Sequence, residues 1–478
     1  MQANKYIVFL VAALPLFTGC KKWLDVKPKT QVDAELLYQR ESGFKDVLTG
    51  AYVNMASAEM YGREMTFGFV DAVGNVYPNT GSFYGNARNN DYANTILEPV
   101  ITAMWTKSYN TIANINNLII HLDGADKNLF QTDNYNVIRG EALGLRAFLH
   151  LDMLRLFAPS YKSKPAAPAI PYVTTYSFNI TPVTTVTAVL DSVLSDLKAA
   201  ATFLQQSDPI KTGRAITSSI DDGYLLNRNY HMNYYAVKAV MARAYLYKGD
   251  LANAALCADE IIASQKFPWT RLDQIAVLDD TKRDRSFTPE QVLVLDVPHL
   301  SDYIKDRLQE APGGYSTNLA LYYLTKDINS LYSFANDWRK LYFWSPERSS
   351  TYPDRYSTKL RQPEGIPANL AQRVALVRLP ELFLISAEAA FDTDPEKARK
   401  RINELRLHRG FEVEIPAGTP ATALRNELLL EYRREFVGEG LLFYYYKRLD
   451  ADKMEWGPAV FNKEKYVVPI PVVETEFR

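Results

Sequence analysis

The chain has 478 residues, 47% hydrophobic and 23% charged, which excludes a disordered or fibrous polymer and a small disulfide scaffold. Fifty-four Lys and Arg stand against 55 Asp and Glu, a formal charge of -1, so no whole-molecule field draws in nucleic acid or an anionic membrane. At this length two or three domain-sized units, or one large helical array, are expected.

Residues 1–19 read as a signal peptide: Lys5, an apolar run from Tyr6 to Phe17, then Thr18-Gly19-Cys20. The run is too short to span a bilayer as a permanent helix. The small pair before Cys20 resembles a bacterial lipobox, in which the cysteine becomes a lipidated N-terminus, although Phe17 stands where an aliphatic residue is usual. Plain secretion with Cys20 incidental is the alternative. Residues 20–30 are short and polar, contain Pro28, and suit a tether. With Cys20 lipidated only Cys257 remains, so no internal disulfide is expected, and its alanine-rich surroundings suit a buried small apolar residue.

The remainder, 31–478, is expected to be one domain with helices over about 31–70, 99–264 and 378–450. In 99–122, Trp105, Tyr109, Ile112, Ile115 and Ile119 recur at helical steps on one face. Residues 139–157 repeat the pattern with Ala142, Leu145, Leu149, Met153 and Leu156, and Pro159 stops the helix. Two segments look like related hairpins: Ala242, Tyr245, Gly249-Asp250 and Ala254, then Ala387, Ala390, Asp394-Pro395 and Ala398. Their small residues let helices approach closely, in the manner of degenerate tetratricopeptide (TPR) hairpins without a uniform 34-residue period. The fold class is therefore mainly α, a TPR-like helical-hairpin scaffold with long irregular loops and a few short strands.

Those loops are expected at about 71–95 and 265–377, where Gly, Pro and Asn are frequent and apolar runs such as Val292 to Val297 are short. From 303 to 356 there are 12 aromatics in 54 residues, against 12% for the whole chain. Tyr and Trp can stack on a sugar or pack on a peptide while polar neighbours take its edges. The alternative is that these rings pin the loops to the scaffold. The earlier loop adds Tyr77, Phe83, Tyr84 and Tyr92 beside Asp71, Asn75, Asn86, Arg88 and Asn90. The two sets could form walls of one shallow site.

No catalytic pattern emerges. The five histidines are isolated, without HExxH or a metal-ligand spacing, and GxSxG and a Walker loop are absent. No metal or other cofactor is expected. Paired carboxylates for glycoside hydrolysis carry no sequence signature. Glu431 and Arg434, three apart on a helix, read as an ion pair, and Arg378, Glu381 and Glu388 as framework.

Read together, the framework segments resemble the SusD/RagB family of Bacteroidetes outer-membrane nutrient-binding lipoproteins. The pieces run in family order: Cys20 with Leu24-Asp25-Val26-Lys27-Pro28; Trp105, Tyr109, Ile112, Asn114 and Asn117; Glu141-Ala142 with Arg146-Ala147-Phe148; and Ala242 to Tyr247. Asp337 and Arg339 with Lys359 follow, then Arg378 to Leu382, Ala387-Glu388-Ala389, Asn403, Leu405, Arg406, Arg409 and Gly410. Glu431, Arg434-Glu435-Phe436, Gly438-Glu439-Gly440, Lys447-Arg448 and Pro469-Ile470-Pro471 complete the set. Lys21 and Lys22 depart from the acidic residues that often follow the lipidated cysteine in this phylum, so outward display rests on the resemblance alone.

The resemblance implies a lipid-anchored outer-membrane protein facing the cell exterior, seated on a SusC-like TonB-dependent transporter. It would capture an oligosaccharide or a peptide and deliver it without chemistry. The expected ligand contacts are Asp71, Asn75, Tyr77, Phe83, Tyr84, Arg88, Tyr315 and Trp344. The rival functions are a surface glycoside hydrolase on a helical scaffold and a TPR-type protein adaptor.

Overall fold

The computed structural model describes residues 34–217, 223–305, 307–308, 321–347 and 353–476. The segments expected as signal peptide and tether, with Cys20, and also Tyr315 lie outside the described residues. The long helices are α1 (Glu41–Met55), α2 (Glu98–Gly124), α3 (Asn134–Phe157), α4 (Val186–Ser207), α5 (Tyr234–Lys248), α6 (Leu251–Ser264), α7 (Leu379–Ala390), α8 (Pro395–Leu407), α9 (Ala421–Glu435) and α10 (Leu442–Leu449). From α1 to α9 each packs on the next in the series. This serial stack is the TPR-like, mainly α scaffold that the hairpin spacing predicts. No helix among the described residues is long and apolar enough to cross a membrane.

Local chemistry explains the hairpins. Gly249 ends α5 with φ +80°, a left-handed turn that suits glycine, and the Asp250 side chain then accepts from Asn253 N–H to start α6. The later hairpin uses the Asp394 carboxylate on Lys397 N–H and Pro395 in the first turn of α8. Helix α6 buries Ile261 together with Ala254, Cys257 and Ala258, three small side chains that let α5 and α7 approach on either side. The Cys257 thiol is free and buried, and burial pushes its pKa up. Helix α3 is buried on nearly every face from Val137 to Phe157, as expected of a central helix. Within it Arg146 forms a bidentate pair with Asp196 at 2.7 and 2.8 Å.

The loop-rich stretches carry more order than their composition suggests. Short helices occupy Phe69–Val73 and Ser82–Arg88. Strands β1 (Asn79–Thr80), β3 (Leu321–Leu324) and β4 (Asp354–Arg355) form one small sheet in the order β1-β3-β4. Strands β2 (Gln291–Asp296) and β5 (Arg373–Arg378) form an antiparallel, bulged pair that leads into α7.

A buried ionic network binds these strands to the helices. Glu435 accepts from Arg378 at 2.7 Å, Arg409 at 2.8 Å and Arg339 at 3.0 Å, and Arg409 also reaches Glu290 at 2.7 Å. Arg339 pairs with Asp337 and Glu431, each at 2.8 Å, and Glu431 pairs with Arg434 at 2.9 Å. Lys359 and Arg378 share Glu439. These ten side chains comprise five cations and five anions, so no net charge is left in the interior. Burial opposes ionisation of Glu435, but the three arginines outweigh it and hold the carboxyl well below its ordinary range. The ion pair expected at Glu431 and Arg434 is thus one corner of a larger structural unit.

Candidate functional site

The two aromatic loops do meet, but they meet in the interior. Strand β1 pairs with β3 through Asn79 and Tyr322 and through Thr80 and Leu321, and Tyr323 Oη donates to Val76 O at 2.5 Å. Tyr77 sets its ring edge against Tyr323 at 5.9 Å, and Trp344 approaches Tyr323 at 4.5 Å and Tyr332 at 6.1 Å. Tyr77 and Tyr84 are each 1% exposed. Their hydroxyls are spent on the scaffold: Tyr77 donates to Asp71 at 3.4 Å and Tyr84 to Glu64 at 3.2 Å.

Asp71 is also enclosed. Its carboxyl accepts from the N–H groups of Gly438 and Gly440, each at 2.8 Å. Both glycines have positive φ, +85° and +69°, and a Cβ on Gly440 would stand 2.5 Å from Met65 O. Burial raises the Asp71 pKa to about 8, against the opposing pull of those two N–H groups. Asn75 is buried beside Met454, at 3.8 Å from its sulfur. Arg88 donates to Tyr77 O at 3.2 Å and to Trp456 O. Phe83 is half-buried against Tyr84. Asp71, Asn75, Tyr77, Tyr84 and Trp344, expected at the ligand surface, therefore bury their side chains because each finds a ring or a hydrogen-bond partner inside.

An open groove of about 750 Å³ lies elsewhere. One wall runs along α1 with Lys45, Asp46, Thr49, Tyr52 and Asn54; Lys107 comes from α2. The irregular segment before α5 adds Tyr224, Tyr230 and His231, and the chain leaving β2 adds Asp296, Pro298, His299 and Tyr303. Its size and its mixture of rings and polar groups are those of a small-ligand site.

The groove floor is organised by Glu141 on α3, which is fully buried. Glu141 accepts from Tyr52 Oη and Tyr224 Oη, each at 3.0 Å, and contacts His231 Nδ1 at 3.3 Å and Arg228 at 2.5 Å. Tyr52 Oη also accepts from Met232 N–H at 2.7 Å. Burial works against the Glu141 carboxylate, yet Arg228 and His231 prevail and hold its pKa down to about 2. Arg228 is held in turn by Asp208 at 3.0 Å. With the hydroxyls turned down to Glu141, Tyr52 and Tyr224 offer ring rather than hydroxyl to the groove.

The sides are charged in both senses. Lys45 pairs with Glu41 at 2.7 Å and lies 5.5 Å above the Tyr224 ring. Tyr230 is gripped by Arg373, and burial raises the pKa of Asp296 against the pull of the same arginine. Such a site can hold a neutral, flat-faced ligand with polar edges. Among the described residues no cluster of His, Cys, Asp or Glu could hold a metal ion.

Tyr52, Tyr224, Tyr230 and His231 are not among the contacts expected from sequence. Three of them lie within 99–264, where helices rather than binding loops are expected. The usable signal was local: Tyr224, Tyr230, His231, Tyr234 and Tyr235 crowd a stretch with Asn227, Asn229 and Asn233, a composition of the binding-loop type.

Two family models match the chain. One, described as starch-binding and associating with the outer membrane, covers residues 22–218, and the other, the SusD family, covers residues 322–473. No curated protein matches. Among solved structures, a SusD superfamily protein from Bacteroides thetaiotaomicron is 20% identical, covers 91% of this chain and 97% of its own, and superposes with a TM-score of 0.70. A SusD-like carbohydrate binding protein from Bacteroides vulgatus, also 20% identical, covers 86% and 84% with a TM-score of 0.67. Surface glycan-binding protein A from Bacteroides fluxus is 17% identical, with 91% and 96% covered and a TM-score of 0.67. At these identities the likeness is one of fold. With one family model matched over residues 22–218 and the other over residues 322–473, the chain belongs to the SusD/RagB family.

Proposed function

We propose that the protein is a non-catalytic binder of oligosaccharide, or of a peptide of similar shape. It is held at the outer membrane by a lipid on Cys20 and passes its ligand to a SusC-like TonB-dependent transporter. The observation that carries this reading is the groove whose floor presents the rings of Tyr52 and Tyr224, with Tyr230 and Tyr303 at its sides. Pyranose faces are apolar and their edges are hydroxyls, so ring floors flanked by Asn54, Asp46 and Asp296 match them. The structural relatives described as carbohydrate binding or glycan binding agree with that chemistry.

The test is calorimetric titration of the chain carrying Cys20→Ala with a panel of plant, host and microbial glycans and peptides. A hit should weaken about tenfold in Tyr230→Ala and in Tyr303→Ala, the effect of about 1.4 kcal/mol of lost contact. The melting temperature should be unchanged, and the glycan should be recovered at its original length. Unaltered affinity in both variants removes the groove from the reading, and shortened glycan removes the passive role.

A further inference from the structure

Between Lys164 and Asp191 the chain carries no charged side chain. This neutral segment leaves α3 and returns to α4 at Val186. Its base is fastened: Tyr109 Oη donates to Pro171 O at 3.0 Å, and Asn116 Nδ2 donates to Val173 O at 2.9 Å and Thr175 O at 3.3 Å. Val173 N–H donates to His150 Nε2 at 3.0 Å, which requires a neutral imidazole, and burial does push the His150 pKa down to about 4.

Past Thr175 the loop turns outward. Tyr176, Phe178 and Ile180 are 56%, 109% and 62% exposed, separated in sequence only by Ser177 and Asn179. Leu36, ahead of α1, and Ile120, one helical turn beyond Asn116 on α2, are exposed as well. Three exposed apolar side chains on one short loop mark a candidate interaction site.

The place where the chain enters the domain says what covers it. Tyr38 stands beside this loop: burial, and after it the neighbouring Tyr176 hydroxyl, push the Tyr38 pKa up to about 12. Cys20 precedes Ala34 by 14 residues, at most about 50 Å of extended chain. A lipid on Cys20 would keep this edge of the domain within about 50 Å of a bilayer.

We propose that the tip at 176–183 is a lipid-contacting loop that seats this edge of the domain in the interfacial layer of the membrane beside the anchor. The inference rests on the reading of Cys20 as lipidated. Tyr and Phe with a β-branched aliphatic suit the boundary between headgroups and acyl chains. The absence of charge removes both the desolvation cost of entering that layer and the paired rim by which protein interfaces fix their register. The loop's work is orientation, because a tether of this length alone leaves the domain free to turn.

The test uses the full lipidated chain carrying Phe178→Cys, labelled there with an environment-sensitive dye, and vesicles of phosphatidylethanolamine and phosphatidylglycerol. Capture by vesicles that is lost in Cys20→Ser reports on the anchor alone. A several-fold rise and blue shift of the dye on vesicles, absent when the label is placed at the equally exposed Leu278, supports the loop. An unshifted dye at 178 under saturating vesicles overturns the loop, whether or not the anchor holds. A shift seen with transporter-containing membranes and not with pure lipid also overturns it, in favour of a protein face.

Discussion

The aromatic set around Tyr323 and the set around Tyr224 have similar residue types and opposite fates. In the first, Tyr77, Tyr323, Tyr332 and Trp344 close on one another across strands from distant parts of the chain, and nothing of the rings is left for a ligand. In the second, Tyr52 and Tyr224 give their hydroxyls to Glu141 and rest their rings against His231, yet both stay half-buried on the wall of an open groove. The hydroxyls of both sets end on buried partners, so it is the enclosure of the ring that separates packing from platform. A local count of aromatics is blind to that choice.

The contrast can be broken by titration first. Asp71, beneath the closed set, has a folded pKa near 8 against 3.8 for a free carboxyl, so the folded state holds the proton more tightly. Its contribution to stability is present in full below about pH 4 and is lost as pH rises through about 8, with a ceiling of about 6 kcal/mol. Urea unfolding from pH 4 to 8 should show that decline in the native chain and a flatter profile in Asp71→Asn. Equal slopes would mean the carboxyl is not enclosed.

Next in size, Tyr323→Ala should cost about 3–5 kcal/mol of unfolding free energy by cavity formation, while ligand affinity of the folded fraction stays unchanged. A parallel loss of affinity at constant stability would return the closed set to the binding surface.

Glu141 works in the opposite sense to Asp71. Its folded pKa is near 2 against 4.5, so it contributes stability above about pH 4.5 that is lost as pH falls through about 2. Glu141→Gln should cost about 3 kcal/mol at neutral pH and flatten the acid limb of a melting-temperature profile. In calorimetry it should also weaken any groove ligand, since Tyr52 and Tyr224 lose the group that aims them.

Much of the framework could be read in advance because its causes are local. The recurrence of Trp105, Ile112 and Ile119, the turn at Gly249-Asp250 and the Asp394-Pro395 start each act within a few residues. The groove resisted reading for the converse reason. It gathers residues near 45, 107, 224, 231, 296 and 303, and only the stacking of helices brings them together. The inward turn of Tyr77 was equally hidden, since it follows from a strand pairing with a partner some 240 residues away.

The clasp between Asp71 and the Gly438–Gly440 turn has a consequence for biogenesis. Its two sides are 367 and 369 residues apart, so a ribosome must deliver almost the entire polypeptide before that carboxyl finds its lodging. Early helices can stack as they emerge, but the first irregular segment stays unfinished until the last part arrives. Nascent chains halted before Gly438 should therefore be prone to proteolytic trimming around residues 70–90, however well their hairpins have formed.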